Sequence, residues 1–360
     1  MFSYKKFTFY ILAVPVFFFT YNAVVWKLVT EDLMSNKNSD GGDLVRLGYL
    51  PDLKSYRKNS NDLPRRHLED DQYKGEPIDV VTIGDSFSNG GGGGKNRYYQ
   101  DYLASINGFS VLNIEPYLDI EYLTLASCLA NNGFLDKVKP RYLLISSSER
   151  MSIDKFSVKV DFDENMSMEK LAGHQRFGYR LAMDNSQALG KKSFFNFINE
   201  GNFKYLLYKI CYHFSDNAFF SKTYKKSLSS PLFSIKKSNT LLFLRDDLRS
   251  LSNSSQNRVA ALNNNLNMLA DKLAKKGIKL YFMPCADKYD VYSQFIINNK
   301  YPKSTFFELL RPLPKRYTFI DTKAILLPEI QRGVKDIYHA DDTHWSWKAS
   351  EKIFQTVKFD

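Results

Sequence analysis

The chain has 360 residues, 44% of them hydrophobic and 25% charged, which supplies apolar material for one large or two small buried cores and argues against a disordered polymer. Its formal charge is +11. No basic–aromatic nucleic-acid motif accompanies that excess, so it points to a membrane surface or an acidic glycan rather than to nucleic acid. The three cysteines, Cys128, Cys211 and Cys285, cannot all pair within one chain and lack metal-ligand spacing, leaving buried free thiols as the expectation.

Phe7 to Trp26 carries no charge, and at helical rise such a run spans about 30 Å, the thickness of a bilayer's hydrocarbon core. Lys5 and Lys6 precede it, and Lys27 is soon followed by Glu31 and Asp32. That bias holds the N-terminus in the cytoplasm and sends the remainder across. Asn22 to Trp26 makes a poor cleavage site, so an uncleaved single-pass anchor is expected ahead of a signal peptide. Pro15 is tolerated in a membrane helix. The expected plan is a cytoplasmic tip at 1–6, an anchor at 7–27, a polar stalk at 28–77 with local order around Leu44 to Leu53, and a folded domain at 78–360.

The folded domain opens on Asp79 to Lys95, DVVTIGDSFSNGGGGGK. Val80 to Ile83 is a short apolar run ended by Gly84, as expected of a buried parallel strand. A serine on the turn that follows, Ser86, sits at the carboxyl edge of the sheet, where α/β proteins place their chemistry. The glycines that follow do not fit a phosphate-cradling loop, because Asn89 stands where its first Gly belongs and Asn96 where its hydroxyl belongs. Nor do Gly90 to Gly94 span the six positions of a dinucleotide fingerprint. A flexible surface loop is the simpler reading.

Strand and helix then alternate. Asn96 to Ile106 reads as a helix, Ser110 to Ile114 as a strand, Glu121 to Asn132 as a helix and Arg141 to Ser146 as a strand, the order of a parallel sheet covered on both faces. Ser147-Ser148-Glu149-Arg150 follows at a strand end; a surface ion pair and a role at the site are equal readings of its last two residues. About 152–253 carries few motifs and reads as an inserted cap, rich in Phe, Tyr, Lys and Ser, with a helix around Phe203 to Phe214. His174 and His213 have no partners in sequence. Arg258 to Lys276 is the clearest soluble helix, with Leu262, Leu266, Leu269 and Leu273 on one face and Gly277 as its stop. Ile278 to Met283 and Tyr317 to Ile320 are the last strands. Between them, Asp287 and Lys288 follow a strand end and are candidates for lining a pocket.

Near the C-terminus, Tyr338-His339-Ala340-Asp341-Asp342-Thr343-His344-Trp345-Ser346 precedes an amphipathic helix from Trp347 to Val357, with Ala349, Ile353 and Val357 on its apolar face and Ser346 as its cap. A serine hydroxyl needs a base. His344 supplies one, and a carboxylate three residues before it, Asp341, can hold its Nδ1–H while Nε2 faces Ser86. His339, Asp341, Asp342 and His344 are also metal-ligand types, but zinc sites draw on separated elements with supporting partners, so no metal and no cofactor is expected.

GDS near the start of the domain and DxxH near the end resemble the SGNH hydrolase (GDSL-like) superfamily. GDSF, DDTHWS and Asp287-Lys288-Tyr289-Asp290-Val291-Tyr292 more narrowly resemble the polysaccharide O-acetyltransferases of the alginate acetylation type. The likeness covers roughly Ile78 to Arg150 and Gly277 to Val357. It implies a three-layer, flavodoxin-like α/β sheet, with Ser86 as nucleophile, His344 as base and Asp341 as orienter. Asp342 is the substitute, since related families differ over whether the acid lies two or three residues before the histidine. It also implies acetyl transfer to an extracellular or periplasmic polysaccharide, and a multispanning membrane acyltransferase as partner. An acetyl-esterase of the same fold is the alternative. The superfamily's oxyanion Gly and Asn are missing at Asn113-Ile114-Glu115 and Ser147-Ser148, leaving the backbone N–H of Ser86, with Ser148 or Arg150, as substitute donors. That departure keeps open a rival class, a non-catalytic glycan-binding or scaffold protein of an export complex.

Overall fold

Val80–Ile83, the four-residue run before the GDS turn, is buried throughout and hydrogen-bonded on both sides, which makes it the centre of the molecule. The computed structural model describes residues 4–34, 42–176 and 196–360. Positions 1–3 of the expected tip, 35–41 of the stalk and 177–195 of the insertion lie outside the described residues. In chain order the strands are β1 (Leu68–Glu69), β2 (Val80–Ile83), β3 (Val111–Ile114), β4 (Tyr142–Ser148), β5 (Thr223–Ser227), β6 (Thr240–Leu244), β7 (Lys279–Cys285) and β8 (Thr318–Phe319).

Six of these form one sheet in the order β1-β3-β2-β4-β7-β8, parallel at every pairing. Strands covered on both faces lose the polar/apolar alternation and read as continuous apolar runs, as β2 and β4 do. The helices Glu149–Phe156, Gln256–Ala274 and Tyr122–Asn131 pack together, while Tyr99–Asn107, Trp347–Thr356 and Thr322–Gln331 form a second group, so the sheet is flanked by helical layers. The Gln256–Ala274 helix is capped by Ser255, whose hydroxyl accepts from the N–H of Arg258, and buries Leu262, Leu266, Leu269 and Leu273. Ser346 caps Trp347–Thr356; Ala349 and Ile353 are buried, and Val357 packs against the core just beyond the helix end.

The chain leaves β2 for β3 on one side and then crosses to β4 on the other. Reversal of direction at a strand opens a crevice at its carboxyl end, and Ser86 lies there.

Two expectations change. First, the segment read as a polar stalk is part of the folded body from Gly42 onward. Asp43–Gly48 is helical; Leu44, Val45 and Leu53 form a small buried cluster with Leu242 of β6; and β1 joins the sheet through Leu68 opposite Leu112. Second, the insertion contributes an antiparallel hairpin, β5–β6, which packs on that same stalk helix. Burying a handful of leucines repays ordering a segment whose average composition is polar.

One N-terminal helix, Tyr4–Val25, continuing in a wider turn to Thr30, is apolar enough to cross a membrane, with mean hydropathy 1.7.

Candidate active site

The turn after β2 is shaped by Asp85. Its carboxylate accepts the N–H of Phe87 at 3.1 Å and the N–H of Ser148 at 2.7 Å, while its backbone carbonyl accepts from Ser88 and Asn89. Burial opposes ionisation of Asp85, but Lys155 at 3.8 Å and the Ser148 N–H hold its carboxyl below the usual range. Gly84 is required at the strand exit, because a Cβ there would meet the Ser88 and Ser146 hydroxyls at 2.0 and 2.1 Å. With Asp85 occupied in fastening the turn to the end of β4, Ser86 is left half-buried and free to face outward.

Ser86 meets His344, 258 positions later, with 2.8 Å between Oγ and Nε2. The opposite ring nitrogen, Nδ1, lies 2.6 Å from Oδ1 of Asp342, and that same oxygen accepts the His344 backbone N–H at 2.9 Å. The Phe87 ring packs on the imidazole at 4.8 Å. Burial favours neutral His344, yet the Asp342 charge and hydrogen bond outweigh it and raise the histidine above its ordinary value. Burial likewise works against the Asp342 carboxylate, and His344 and Arg57 overcome it, holding that acid far below its usual range. The carboxylate that orients the histidine is therefore Asp342, not Asp341 as three-residue spacing predicts.

Asp341 faces the other way, for a reason that lies in the N-terminal segment. Its two carboxylate oxygens accept from the Ser55 hydroxyl (2.7 Å), the Ser55 N–H (2.9 Å), the Gly42 N–H (3.1 Å) and Arg57 Nη1 (2.6 Å). Its backbone carbonyl accepts from Leu44 and Val45. Arg57 also reaches Asp342 at 3.5 Å and donates from Nε to the Gly92 carbonyl at 2.9 Å. Asp43 accepts the N–H and hydroxyl of Thr343. None of Gly42, Asp43, Ser55 and Arg57 was identified from sequence; the apolar positions within Leu44 to Leu53 were the available signal that this stretch is packed.

The remaining candidates support the site from behind. Lys288 is buried and donates from Nζ to the carbonyls of His339 (2.7 Å), Ala340 (3.0 Å) and Asp342 (3.0 Å), stapling the loop that carries His344; burial pulls its pKa down to about 8. Asp287 pairs with Arg150 at 2.7 Å, and Arg150 also reaches Asp247 at 3.4 Å. Glu149 accepts from the Asp287 N–H and the Ser304 hydroxyl. Glu149 and Arg150 thus belong to a largely buried network with Asp287 rather than to a surface pair, while Lys288 braces the loop. Ser148 is buried with its N–H already given to Asp85, so that N–H is not an open oxyanion donor. Arg150 lies near enough to act electrostatically on His344 and Asp85.

Gly90 to Gly94 does not hang free. A Cβ on Gly91 would come within 2.4 Å of His344 Nε2, and one on Gly92 within 3.0 Å of the His339 ring. The run is small where the His339–His344 loop presses on it. Burial, with Arg57 nearby, pushes His339 down to about 3, so it is neutral. Asp43, Asp342 and His344 bring ligand-type atoms within 4.8 Å of one another. Those atoms are spent on Thr343 and on each other, and Asp341 is turned away from them.

A cleft of about 360 Å³ lies beside the glycine run, lined by Arg66, His67, Glu69, Arg97, Tyr98 and Asp101 among others. A larger one of about 730 Å³ lies around Ile320, Pro328 and Arg332; neither cleft is lined by Ser86, Asp342 or His344. No protein-family model matches the chain, and no curated protein matches its sequence.

Proposed function

We propose that this protein is a membrane-tethered serine-triad O-acyltransferase of SGNH type that acetylates a polysaccharide outside the cytoplasm. The observation that carries the reading is the Ser86–His344–Asp342 relay, with 2.8 and 2.6 Å between successive partners. An incidental serine at a strand end needs neither distance. The flavodoxin-like arrangement of the superfamily is consistent with the parallel order and with a nucleophile at the exit of the central strand.

In the proposed reaction His344 Nε2 takes the Ser86 proton as Oγ attacks the acyl carbonyl. The tetrahedral adduct collapses, His344 returns the proton to the departing group, and the acyl group remains on Ser86 as an ester. A sugar hydroxyl then gives its proton to Nε2 as it attacks the ester; the second adduct collapses, His344 returns that proton to Ser86 Oγ, and the sugar leaves acylated. Asp342 holds the imidazole and stabilises its charged form throughout. The Ser86 N–H and the positive Arg150 are the proposed sources of stabilisation for the oxyanion, a contribution worth about 10²–10³ in rate per donor.

Transfer requires a bound hydroxyl to outcompete water. Effective molarities of well-placed groups reach 10⁵ M or more, against roughly 55 M for water, so positioning suffices. The cleft beside Gly94 presents carboxylates, guanidinium groups and the Tyr98 ring to an acceptor. One helix does not carry acyl groups across a bilayer, so a multispanning acyltransferase is the proposed donor partner.

The test is a fluorophosphonate probe on the full chain, followed by an acetyl ester donor offered with and without oligosaccharide and read by mass spectrometry. Ser86 labelling and acetylated sugar are expected. Acetate release indifferent to any oligosaccharide would make the protein an esterase. No labelling and no turnover with the fold intact would make it a scaffold.

A further inference from the structure

The Glu200–Cys211 helix wears its apolar stripe on the outside. Phe203, Leu206, Leu207, Ile210 and Phe214 recur at helical spacing, and each has between 47% and 77% of its surface exposed. The polar and small side is the buried one. Gly201 lies against Tyr49, Asn202 is enclosed, and Tyr208 packs edge-on to Tyr49. A surface helix ordinarily does the reverse, burying its apolar stripe. The turn beyond adds Phe219 and Phe220, also more than half exposed.

This helix is joined to the N-terminal helix. Asn202 donates to Asn22 Oδ1 at 2.8 Å and accepts from the Thr30 hydroxyl, and its carbonyl accepts from the Tyr21 hydroxyl at 2.8 Å. Phe203 stacks on Phe18 at 6.1 Å and packs at a tilt on Tyr21 at 5.7 Å. Buried amide-to-amide bonds of this kind fix a register, since an unpaired partner would stay desolvated.

Depth follows from the pairing. Phe18, Tyr21 and Asn22 lie eight, five and four residues before Trp26, the end of the uncharged run. Thr30 lies four residues after it, so at 1.5 Å per residue the junction runs from about 12 Å inside that end to about 6 Å beyond it, and interfacial helices bury their apolar face about 5–10 Å into the headgroup–acyl boundary. Lys204 and Lys209 flank the stripe, as basic residues do on such helices.

We infer that Glu200–Cys211 and the turn to Phe220 form an interfacial element that lies in the outer boundary of the bilayer crossed by the N-terminal helix. The anchor and this element then hold the folded body at two points, and a body held so does not swing on its linker. The occupant is lipid because the stripe continues the outward apolar surface of the anchor itself and starts at its depth. The inference rests on reading Phe7–Trp26 as a membrane span.

The test uses the full chain in vesicles of phosphatidylcholine and phosphatidylglycerol doped with a phospholipid carrying an acyl-chain diazirine. After photolysis, adducts are mapped by peptide mass spectrometry. Adducts on both the 7–26 and 203–220 peptides are expected. In the double variant Leu206→Glu, Leu207→Glu, adducts on 203–220 should fall at least about fivefold while those on 7–26 persist. Adducts confined to 7–26 overturn the inference and leave the anchor standing; adducts on neither overturn the anchor as well. A stripe that crosslinks to a second copy or to a membrane protein in native membranes, in place of lipid, also overturns it.

Discussion

Ser55 holds Asp341 with both its N–H and its hydroxyl, at 2.9 and 2.7 Å, across 286 positions of sequence. This clasp separates two adjacent aspartates into different roles. Asp341 is spent on fixing the loop, and Asp342 is left to face the histidine.

The two aspartates should therefore fail differently. Asp342→Asn is expected to lower kcat by about 10³–10⁴ with little change in melting temperature, since it leaves the wrong hydrogen-bond partner on Nδ1. Asp341→Ala removes the nearer of the two carboxylates on Arg57, whose side chain is 4% exposed, and a broken buried pair costs up to about 3–5 kcal/mol. Thermal unfolding and acyl-enzyme formation, measured on both variants, check this. Loss of chemistry in Asp341→Ala at unchanged stability would contradict the assignment.

Activity should depend on pH with its acid limb above the ordinary histidine value of about 6.5. His344 must be neutral to accept the Ser86 proton, and its raised pKa keeps the proton on to higher pH. The rate of fluorophosphonate labelling should thus climb as pH rises past that point. In Asp342→Asn the residual limb should move to lower pH, because the group that raises it is gone. An unmoved limb would show that another residue sets it.

Gly91→Ala is expected to cut labelling at least about a hundredfold while the fold survives. The added Cβ would lie 2.4 Å from His344 Nε2, the position the proton transfer requires, and about 1 Å of misplacement can cost that much. Gly92→Ala, whose Cβ would meet His339 at 3.0 Å, should be milder. Equal effects would mean that the glycines matter only for loop mobility.

Lys288→Met leaves three loop carbonyls without their donor. Each unsatisfied buried acceptor costs about 1–3 kcal/mol. The variant should be less stable and label slowly, although Lys288 touches no reacting atom. Normal labelling in a destabilised variant would limit Lys288 to a structural role.

His67 offers a stability test away from the triad. Burial disfavours its charge, but Asp101 at 2.7 Å and Glu69 at 3.0 Å raise its pKa to about 9. A histidine raised in the folded state stabilises fully below its unfolded value of about 6.5 and loses that contribution as pH rises through about 9. His67→Gln should therefore cost roughly 1–3 kcal/mol at pH 6 and little at pH 10, measured by urea unfolding. A pH-independent difference would refute the charge argument.

Strands β2, β3, β4 and β7 were legible because apolar runs of four to seven residues between turn signals admit few readings. Ser86 and His344 were legible from their places at element ends. Which aspartate serves His344 was not, since the choice is made by Ser55 and Arg57 on a segment whose composition reads as solvated. β1 was equally hidden: two residues pair only because β3 offers an edge. The helix of Phe203 to Phe214 was visible from its spacing, but spacing does not say which way an apolar stripe faces.

The clasp between Gly42–Arg57 and Asp341–Asp342 also has a consequence in time. It closes a loop through nearly the whole chain, and contacts of such separation form late in folding. During synthesis the N-terminal helix and the Ser86 turn emerge long before the loop that brings His344 to Ser86. The nascent chain therefore holds Ser86 without its His344 partner until the last loop arrives, and a chain ended before that loop lacks the partner even when its N-terminal helix and sheet are in place.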